Sequence, residues 1–378
     1  MEESHALRVS DEDSNPDPDA PVFNWSALAL STVPVAGVLG NSLVVLAVWQ
    51  QRRLQNVTNF FLVSLAVADL MVCLAVMPFG IIDQFYGYWP FGWVVCTVWT
   101  TCDVLGCSAS ILHLCCISVG RYAGIRNPLQ ARQSCRSAVL ARVAAVWLLA
   151  ALISCPVPVL AFADVGNVLP SKGACGITNR FFMTLGSLLA FYLPMLVMVT
   201  TYVLTVRELK QVPCTLSPNI SSGSEQTSSG GRTGQTHCAC PAAVALRAAR
   251  AMNERKATKV LGVVFLLFVV CWAPFFILNV AQAFVGPRLF PSSLATTFLW
   301  LGYVSSTVNP LVYTAFNRAF RSAFWQLLTC HCGPRPPKRR KRHLSHGGSQ
   351  STHRDMVSWS FKSSLANNST LRSVQSPC

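Results

Sequence analysis

Seven stretches of mostly apolar residues run through this sequence, and their length leaves few alternatives for its fold. A helix advances about 1.5 Å per residue, so about 20 apolar residues cross a hydrocarbon core of about 30 Å. The stretches lie at 25–49, 60–84, 95–119, 139–163, 181–206, 260–285 and 294–316. The sequence therefore predicts an all-α membrane protein, a seven-transmembrane helix bundle.

The composition agrees with a chain that lies in a membrane. Of its 378 residues, 52% are hydrophobic and only 12% are charged, a balance that soluble domains rarely have. Prolines interrupt several stretches, at Pro78, Pro156, Pro194, Pro274 and Pro310. A bundle accommodates such prolines because neighbouring helices and water can satisfy the freed backbone groups. The pattern predicts kinked helices around an internal cavity.

Lysine and arginine in the short loops predict the orientation of the chain. Basic residues follow the first and third stretches and fill the loop between the fifth and sixth, whereas the alternate loops carry only Lys172, Arg180 and Arg288. We therefore expect an extracellular amino terminus and a cytoplasmic carboxyl terminus. The formal net charge of +15 then reflects the cytoplasmic face, and no nucleic acid partner is needed to explain it.

Composition also divides the chain into parts. We expect an acidic, disordered extracellular tail at 1–24, a transmembrane domain at 25–329, and a basic cytoplasmic tail rich in Ser and Thr at 330–378. Residues 211–243 are rich in Ser, Gly, Thr and Pro, which predicts a disordered insert in the third inner loop. The motif FNRAFRSAFWQLL alternates apolar and basic positions, which predicts a short amphipathic helix on the membrane surface.

Asn24 begins the outer sequon Asn24-Trp25-Ser26 and is expected to be glycosylated.

The 16 cysteines of the chain are divided between compartments. Disulfides persist outside the cell, where Cys96 and Cys175 are placed to meet, so we expect a bond between them. Cys330 and Cys332 precede a basic run at 338–342, and we expect them to be palmitoylated beside membrane lipids. Reduced thiols beside a solvated basic run are the alternative, and zinc ligation together with the His and Cys residues of the third inner loop is another.

Asp103 is a carboxylate within the third apolar stretch, seven residues beyond Cys96. Ionised groups are costly in a membrane and usually act on a ligand, an ion or a proton. Aromatic residues of the sixth and seventh stretches fall at a corresponding depth: Trp272, Phe275, Phe276, Trp300 and Tyr303. An acid among aromatic rings suits an organic ammonium ion, so the sequence predicts an amine site. The alternatives are an aspartate that only anchors hydrogen bonds, and aromatic residues that only pack the core.

A second polar group is expected deeper in the bundle, formed by Asp69, Ser110, Ser306 and Asn309. Carboxylate and hydroxyl oxygens bind small hard cations, and the single formal charge favours sodium over magnesium. A water-filled polar network is the alternative, and these residues alone do not decide between the two.

Short motifs in the predicted helices carry a family resemblance over roughly 25–330. They are Gly40-Asn41, LAVADL, Trp89 with Phe91-Gly92, Arg121-Tyr122, Trp147, Pro194, CWAPFF and NPLVY. With these motifs the chain resembles rhodopsin-like G-protein-coupled receptors. The resemblance implies a receptor of the plasma membrane, with no cofactor other than an allosteric sodium ion. It also implies a heterotrimeric G protein as partner, together with arrestin and receptor kinases.

Asp103 matches the amine-binding aspartate of the aminergic branch, and ILHLC, TYVLTVREL and GYVSSTVNPLVYTAFNRAFRSAF are most similar to serotonin type-2 receptors. Ser187 is the one hydroxyl where catecholamine receptors typically have several, which suits an indole with a single polar substituent. Serotonin is therefore the expected ligand, and dopamine, octopamine or tyramine are alternatives because Cys107-Ser108 is dopamine-receptor-like. The implied ligand site comprises Asp103, Val104, Cys107, Ser108, Ile177, Gly186, Ser187, Ala190, Trp272, Phe275, Phe276, Asn279, Trp300 and Tyr303.

The resemblance also implies a coupling region at the cytoplasmic end. An agonist contracts the pocket in this family, and the inner end of the sixth helix then moves outward to admit the G protein. By analogy with type-2 receptors, we expect the Gq class, acting through phospholipase C and calcium. The residues implied for coupling and switching are Gly120, Arg121, Tyr122, Leu129, Tyr202, Glu254, Pro274, Pro310 and Tyr313.

Gly120 departs from the family pattern. The family usually has an acid immediately before this arginine, where it restrains the guanidinium until activation, and Gly120 supplies neither charge nor side chain. With Glu254 as the remaining restraint, we expect raised signalling in the absence of ligand. The alternative is a receptor that binds an amine but couples poorly, because glycine also loosens a helix.

Other classes of protein fit the sequence less well. The bundle carries no nucleophile with a base, no phosphate-binding loop and no metal-spaced His/Cys set, which argues against an enzyme. The seventh stretch has no lysine for a retinal Schiff base, which argues against a light receptor. A transporter remains the distant alternative, although the seven stretches show no internal duplication.

Overall fold

The computed structural model describes residues 23–127, 136–171, 173–211, 241–286 and 289–329. Helices make up nearly all of these ranges, which contain no named strand and only one isolated antiparallel bridge, between Ser171 and Ala174. The predicted all-α fold is confirmed for the part of the chain that is described.

The helices follow one another with short connections. In chain order, the helical segments are Trp25–Ser31 (3-10), Thr32–Gln50, Arg52–Leu54 (3-10), Val57–Met71, Val72–Val76 (π), Met77–Tyr86, Gly92–Arg126, Arg136–Ser154, Pro156–Ala163, Val165–Asn167 (3-10), Arg180–Ser187, Leu188–Tyr192 (π), Leu193–Gln211, Pro241–Val285, Ser292–Phe316 and Arg318–Leu328.

Seven spans arise from these segments, at the seven predicted stretches. Six have the length and composition to cross a membrane: Trp25–Gln50, Asn59–Tyr86, Gly92–Arg126, Arg136–Ala163, Arg180–Lys210 and Thr258–Val285. The seventh, Ser292–Phe316, is long enough but more polar, because Ser305, Ser306 and Asn309 are buried inside the bundle. The ends differ from the prediction by a few residues, most at the third span, which continues past 119 to Arg126.

Two of the prolines follow a widened helical turn. The π turn Val72–Val76 precedes Pro78, and the π turn Leu188–Tyr192 precedes Pro194. Proline has no N–H to donate and its ring collides with the carbonyl of the preceding turn, so an extra residue there relieves the conflict. The fourth span instead changes segment at Cys155, just before its prolines.

Pro274 and Pro310 lie inside continuous helices of the sixth and seventh spans. The sixth helix begins at Pro241, so the last three residues of the insert predicted at 211–243 are helical. Most of that insert lies outside the described residues, as do most of the tail at 1–24 and the whole tail at 330–378.

The short helix predicted after the seventh span is present as Arg318–Leu328. Asn317 caps its start, because its side-chain oxygen accepts a hydrogen bond from the backbone N–H of Ala319 at 3.0 Å. Phe320 and Phe324 are buried against the bundle, whereas Trp325 on the opposite side is 65% exposed. The helix therefore has one face for the protein and an apolar side chain left for the membrane.

The third span lies at the centre of the bundle, and every residue from 106 to 114 is buried. Polar contacts tie the other spans together around it. Asn41 Nδ2 donates to the backbone oxygen of Ser306 at 2.9 Å, which joins the first and seventh spans. Trp147 Nε1 donates to Ser64 Oγ at 3.0 Å, which joins the fourth and second. These contacts join the spans that surround the third.

Candidate functional site

A cavity of about 250 Å³ opens between the spans near the Cys96–Cys175 disulfide. We call this the disulfide end of the bundle. The cavity is lined by most of the residues expected at the ligand site: Asp103, Val104, Cys107, Ser108, Ile177, Gly186, Ser187, Ala190, Trp272, Phe275, Phe276 and Asn279. The structure therefore brings together side chains from the third, fifth and sixth spans and the second outer loop.

Asp103 supplies the acidic group of the cavity wall. Its Oδ1 accepts a hydrogen bond from the thiol of Cys107, with 3.3 Å between sulfur and oxygen. It forms no ion pair with any described residue, since the ion pair found there joins Arg121 and Glu254 elsewhere in the bundle. A carboxylate in a cavity without a basic partner is an arrangement that suits a cationic ligand.

Aromatic rings of the fifth and sixth spans form the opposite wall. Phe276 stacks on Phe191 with centroids 4.6 Å apart and planes at 10°. Trp272 meets Phe275 edge to face at 5.9 Å, and its Nε1 donates to Ser305 Oγ at 2.9 Å. These contacts fix the rings, so the cavity presents rigid aromatic surfaces to a ligand.

Trp300 and Tyr303 do not line this cavity, in contrast to the expectation from the sequence. Tyr303 is completely buried behind it, and its hydroxyl faces Asp103 but lacks a hydrogen bond of good geometry. Trp300 contacts Tyr303 edge to face at 5.5 Å and lies beside Gly80 of the second span. Trp300 points away because it lies about 100° around the seventh helix from Leu299, which lines the cavity with Ala295. Tyr303 follows Leu299 by one turn on the same face and lies deeper.

The π turn Leu188–Tyr192 shapes the wall that the fifth span contributes. Ser187 precedes this turn and is 2% exposed, with its hydroxyl donating to the backbone oxygen of Met183 at 2.6 Å. A Cβ at Gly186 would lie 3.6 Å from the ring of Phe182, which is an ordinary contact distance. Phe182, Met183, Gly186 and Ser187 line the cavity from the helix before this turn, and Ala190 lines it from within the turn.

Ten further residues line the cavity, and the sequence reasoning did not identify them. They are Trp99, Thr100, Ile153, Cys175, Gly176, Phe182, Met183, Gln282, Ala295 and Leu299. Helical spacing offers a signal for some of them, because Trp99 and Thr100 lie one turn before Asp103, and Gln282 lies one turn after Asn279. No spacing rule identifies Ile153, which comes from the fourth span.

The second outer loop is held over the disulfide end by backbone contacts as well as the disulfide. The N–H of Trp89 donates to the oxygen of Gly173 at 2.7 Å, and the N–H of Gly176 donates to Val168 at 2.9 Å. The predicted Cys96–Cys175 bond is present. Ile177 follows directly and faces the cavity, so the disulfide and these hydrogen bonds position a loop residue at the site.

The second polar group lies deeper in the bundle and contains the four residues expected there. Asp69 is 1% exposed; its Oδ1 accepts from Ser110 Oγ and its Oδ2 accepts from Asn309 Nδ2, both at 2.9 Å. The Ser306 hydroxyl lies beside the same carboxylate. The arrangement leaves a buried carboxylate surrounded by neutral groups, without a basic partner in the described ranges.

The opposite end of the bundle, which we call the arginine end, carries Arg121. Its Nη1 lies 3.5 Å from Glu254 Oε2, and the two side chains are 34% and 44% exposed. Gly120 beside it is exposed, and a Cβ there would meet no atom within 4 Å. Tyr122 accepts a hydrogen bond from Arg126 at 3.0 Å.

Two tyrosines lie deeper at the arginine end. Tyr202 lines a small cavity of about 10 Å³ between the third, fifth and sixth spans. Tyr313 packs on Phe320 of the short helix with centroids 5.8 Å apart. Leu129, Cys330 and Cys332, which the sequence also assigned to this side, lie outside the described residues.

Asn24 lies at the start of the first span. Its backbone N–H donates to Phe85 at 2.8 Å, and its side-chain oxygen accepts from the N–H and the hydroxyl of Ser26. The sequon is thus the cap of the first helical turn, next to the end of the second span.

The fold and the two sites agree with the result of sequence comparison. The profile of the family described as "7 transmembrane receptor (rhodopsin family)" matches residues 40–313. The chain belongs to this family of seven-transmembrane receptors. It is therefore a multi-pass receptor of the plasma membrane, with a small-molecule ligand and a G protein as partners.

Individual relatives cover most of the chain. It is 37% identical over 345 residues to 5-hydroxytryptamine receptor 2C of Canis lupus familiaris, an alignment that spans 84% of this chain and 75% of that receptor. The receptors of the same name in Rattus norvegicus and Mus musculus are each 36% identical, over 349 and 348 residues, with the same shares covered.

Proposed function

We propose that the protein is a plasma-membrane receptor for 5-hydroxytryptamine (serotonin), which binds in the cavity at the disulfide end. The observation that carries the proposal is Asp103, a carboxylate facing a cavity beside fixed aromatic rings, with no basic partner among the described residues. An ammonium group pairs with such a carboxylate and gains cation–π contacts from nearby rings.

The size of the cavity supports a small ligand. Its 250 Å³ is slightly below the range of about 300–1,000 Å³ that is typical of sites for drug-sized molecules. A monoamine with one aromatic ring system is therefore a better match than a peptide. The relatives named as 5-hydroxytryptamine receptors add support for serotonin within this class.

The proposed signalling route runs through the arginine end. Agonist binding beside Trp272 would be transmitted along the sixth span, past Pro274, to the region of Arg121 and Glu254. The partner is a heterotrimeric G protein, of the Gq class by likeness to type-2 serotonin receptors, acting through phospholipase C. This requires an extracellular amino terminus and a cytoplasmic arginine end, in agreement with the basic loops.

Several accessory features belong to the same proposal. Arrestin and receptor kinases act on the cytoplasmic side, Asn24 is glycosylated outside, and Cys330 and Cys332 are palmitoylated at the inner leaflet. The carboxylate of Asp69 holds an allosteric sodium ion, since its neutral hydroxyl and amide neighbours leave the negative charge uncompensated.

Gly120 leads us to propose raised basal activity. The Arg121–Glu254 contact is long and partly exposed, and exposed ion pairs contribute about 0–1 kcal/mol. A restraint of that size holds the resting state weakly, because about 1.4 kcal/mol changes a two-state ratio tenfold. Receptors without ligand would therefore occupy the active state more often than receptors with a second acidic restraint.

A catecholamine or a related phenolic amine is the second candidate, and one observation favours it. Ser108 lines the cavity with a hydroxyl that bonds to no described residue, in addition to the hydroxyl of Ser187. Two hydroxyl groups at the ring end of the cavity would also suit dopamine, octopamine or tyramine.

The experiment that tests the proposal is saturation binding of tritiated serotonin to membranes from cells that express the chain. We expect specific binding to be lost in Asp103→Asn, at matched surface expression measured through an epitope tag. Asp83→Asn is the matched control, because Asp83 lies near the end of the second span but does not line the cavity.

Two results would contradict the proposal. Equal serotonin binding by wild type and Asp103→Asn would remove the ammonium site from this cavity. Absence of serotonin binding in a well-expressed wild type, with saturable binding of dopamine, octopamine or tyramine, would replace the ligand and keep the receptor class.

A further inference from the structure

A hydrogen bond joins the fifth and sixth spans at the arginine end. Arg255 Nη2 donates to the backbone oxygen of Leu209 at 3.1 Å. Leu209 lies in the last turn of the helix Leu193–Gln211, and the last carbonyl groups of a helix have no N–H partner within it. A guanidinium group suits this position, because its positive charge also meets the negative end of the helix dipole.

Two neighbouring residues of the sixth span therefore contact two different helices. Glu254 faces Arg121 of the third span at 3.5 Å, whereas Arg255 binds the fifth span. Arg255 forms no ion pair with a described residue, and its acceptor is a backbone carbonyl. The contact with the fifth span thus shares no atoms with the contact to the third, and either one can persist when the other is lost.

A second contact between the same two spans lies seven residues away on both helices. Tyr202 precedes Leu209 by seven residues, and Gly262 follows Arg255 by seven residues. Seven residues are nearly two helical turns, about 10 Å along the axis, so each helix uses one face for both contacts. A Cβ at Gly262 would lie 2.6 Å from the hydroxyl oxygen of Tyr202 and 2.9 Å from two carbons of its ring.

We call these two contacts, Arg255–Leu209 and Tyr202–Gly262, the fifth–sixth seam. The two spans run in opposite directions, so both contacts belong to one register between the helices. The phenol of Tyr202 lies directly against the backbone at Gly262, because a glycine there leaves no side chain between them. Outward movement of the end of the sixth span away from the fifth must therefore break the Arg255 bond and separate the backbone of Gly262 from the phenol.

We infer that Arg255 is a positioning residue of the resting receptor, which holds the sixth span to the fifth independently of the Arg121–Glu254 pair. Gly262 supports this role by allowing the close approach of Tyr202. The inference rests on the proposed signalling route and identifies a second restraint on it. This restraint does not depend on the residue at Gly120, because the seam does not include the third span.

The test measures inositol phosphate accumulation without agonist in Arg255→Met, at matched surface expression. Methionine keeps an apolar stem and removes both the charge and the donors. One exposed, charge-assisted hydrogen bond corresponds to about a two- to fivefold change in the ratio of active to resting receptor, and we expect ligand-free signalling to rise by about this factor. Arg255→Lys is expected to return most of the way to wild type, since lysine keeps the charge and donors to the carbonyl.

Arg207→Met is the matched control. Arg207 lies on the fifth span two residues before Leu209, is exposed and forms no ion pair with a described residue. An equal rise in Arg207→Met would overturn the inference, because that result indicates a general effect of lost positive charge at this end. Unchanged signalling in Arg255→Met would overturn it as well.

The double variant of Glu254→Gln and Arg255→Met tests whether the two contacts act separately. We expect their increases in ligand-free signalling to multiply, because the contacts hold the sixth span to different helices. If Arg255→Met adds nothing in the Glu254→Gln background, Arg255 acts through Glu254 and the inference is wrong.

Gly262→Ala tests the other contact of the seam. The added Cβ cannot share its position with the Tyr202 phenol, so we expect the seam to open and ligand-free signalling to rise. An unchanged signal would overturn the role given to Gly262 and Tyr202.

Hydrogen exchange of the purified, ligand-free receptor separates this inference from the proposed function, because it needs neither agonist nor G protein. Loss of the Arg255 bond frees the end of the fifth helix, so we expect faster amide exchange at 205–211 in Arg255→Met than in wild type or Arg207→Met. Faster exchange with unchanged signalling would overturn the restraint. Absence of any serotonin response in wild type would overturn the proposed function, and equal exchange in the three proteins would then overturn the inference too.

Discussion

Arg121 and Glu254 approach to 3.5 Å between Nη1 and Oε2, which links the third and sixth spans at the arginine end. The structure shows no second side-chain ion pair among the described residues. Each partner of this pair is at least one-third exposed. Next to Arg121, a Cβ on Gly120 would meet no atom within 4 Å. The restraint on the guanidinium is therefore a single solvated contact with free space beside it.

Gly120→Asp is expected to lower ligand-free signalling. The free space accepts an aspartate without displacing a neighbour, and a carboxylate there adds a second negative charge near the Arg121 guanidinium. At this exposure the added attraction is at most about 1 kcal/mol, which corresponds to about a fivefold fall in the active fraction. The measurement is inositol phosphate accumulation without agonist, at matched surface expression.

Gly120→Asn controls for that experiment. Asparagine has nearly the same shape and also removes the flexible glycine from the helix, but it carries no charge. If both variants lower basal signalling equally, the effect comes from helix rigidity and the explanation based on charge is wrong.

Glu254→Gln is expected to raise ligand-free signalling further. The substitution keeps the size of the side chain and removes the charge that faces Arg121 at 3.5 Å. Because Gly120 offers no second acid, we expect a larger relative increase here than in a Gly120→Asp background, by about two- to fivefold. The four combinations of these two substitutions form a double-mutant cycle, and strict additivity of their effects would show that the two positions do not act on the same arginine.

The fold was predictable from the sequence because the length of an apolar stretch is a local property. Each stretch is long enough to cross about 30 Å of hydrocarbon. All seven are helical in the structure, and their ends differ from the prediction by a few residues. The third span shows the limit, since Gly120, Arg121 and Tyr122 continue its helix beyond the apolar run. Hydrophobicity alone does not distinguish a helix that continues beyond the membrane from one that ends at the membrane surface.

The depth of the site residues along their helices was predictable from the sequence, but the direction in which each side chain points was not. Asp103, Trp272 and Phe276 were identified because an acid in an apolar helix and aromatic residues at the same depth are both visible in sequence. Trp300 has the expected depth but lies beside Gly80 of the second span, because packing against other spans sets how the seventh helix is turned. Tyr303 faces Asp103 but is buried behind the cavity. Phe182 and Met183 were missed although they lie one helical turn before Gly186 and Ser187, a spacing that places them on the same face.

Asp69→Asn is expected to abolish the effect of sodium on agonist affinity. Replacing the carboxylate removes the only formal charge among the group of Asp69, Ser110 and Asn309, so a cation loses its main attraction there. The measurement is displacement of a labelled antagonist by serotonin in sodium chloride and in N-methylglucamine chloride at equal ionic strength. Asp83→Asn is the control, and an unchanged sodium effect in Asp69→Asn would place the ion elsewhere.

Gly302→Ala is expected to destabilise the receptor through Trp272. A Cβ at Gly302 would lie 2.8 Å from two carbon atoms of the Trp272 indole. The indole cannot move aside easily, since it is 4% exposed, bonded to Ser305 and packed against Phe276 and Tyr303. Overpacking of this kind costs about 1–3 kcal/mol, partly offset by up to about 1 kcal/mol of helix propensity gained over glycine.

Gly80→Ala is the matched comparison, because a Cβ at Gly80 would meet Trp300 at 3.5 Å and Trp99 at 3.7 Å, which are ordinary contact distances. We expect Gly80→Ala to leave the melting temperature unchanged or higher, and Gly302→Ala to lower it by a few degrees, at about 2–4 °C per kcal/mol. The measurement is thermal inactivation of antagonist binding in detergent. Equal melting temperatures for the two variants would mean that Trp272 has room to move, and that the aromatic wall of the cavity is less rigid than the contacts of Trp272 and Phe276 indicate.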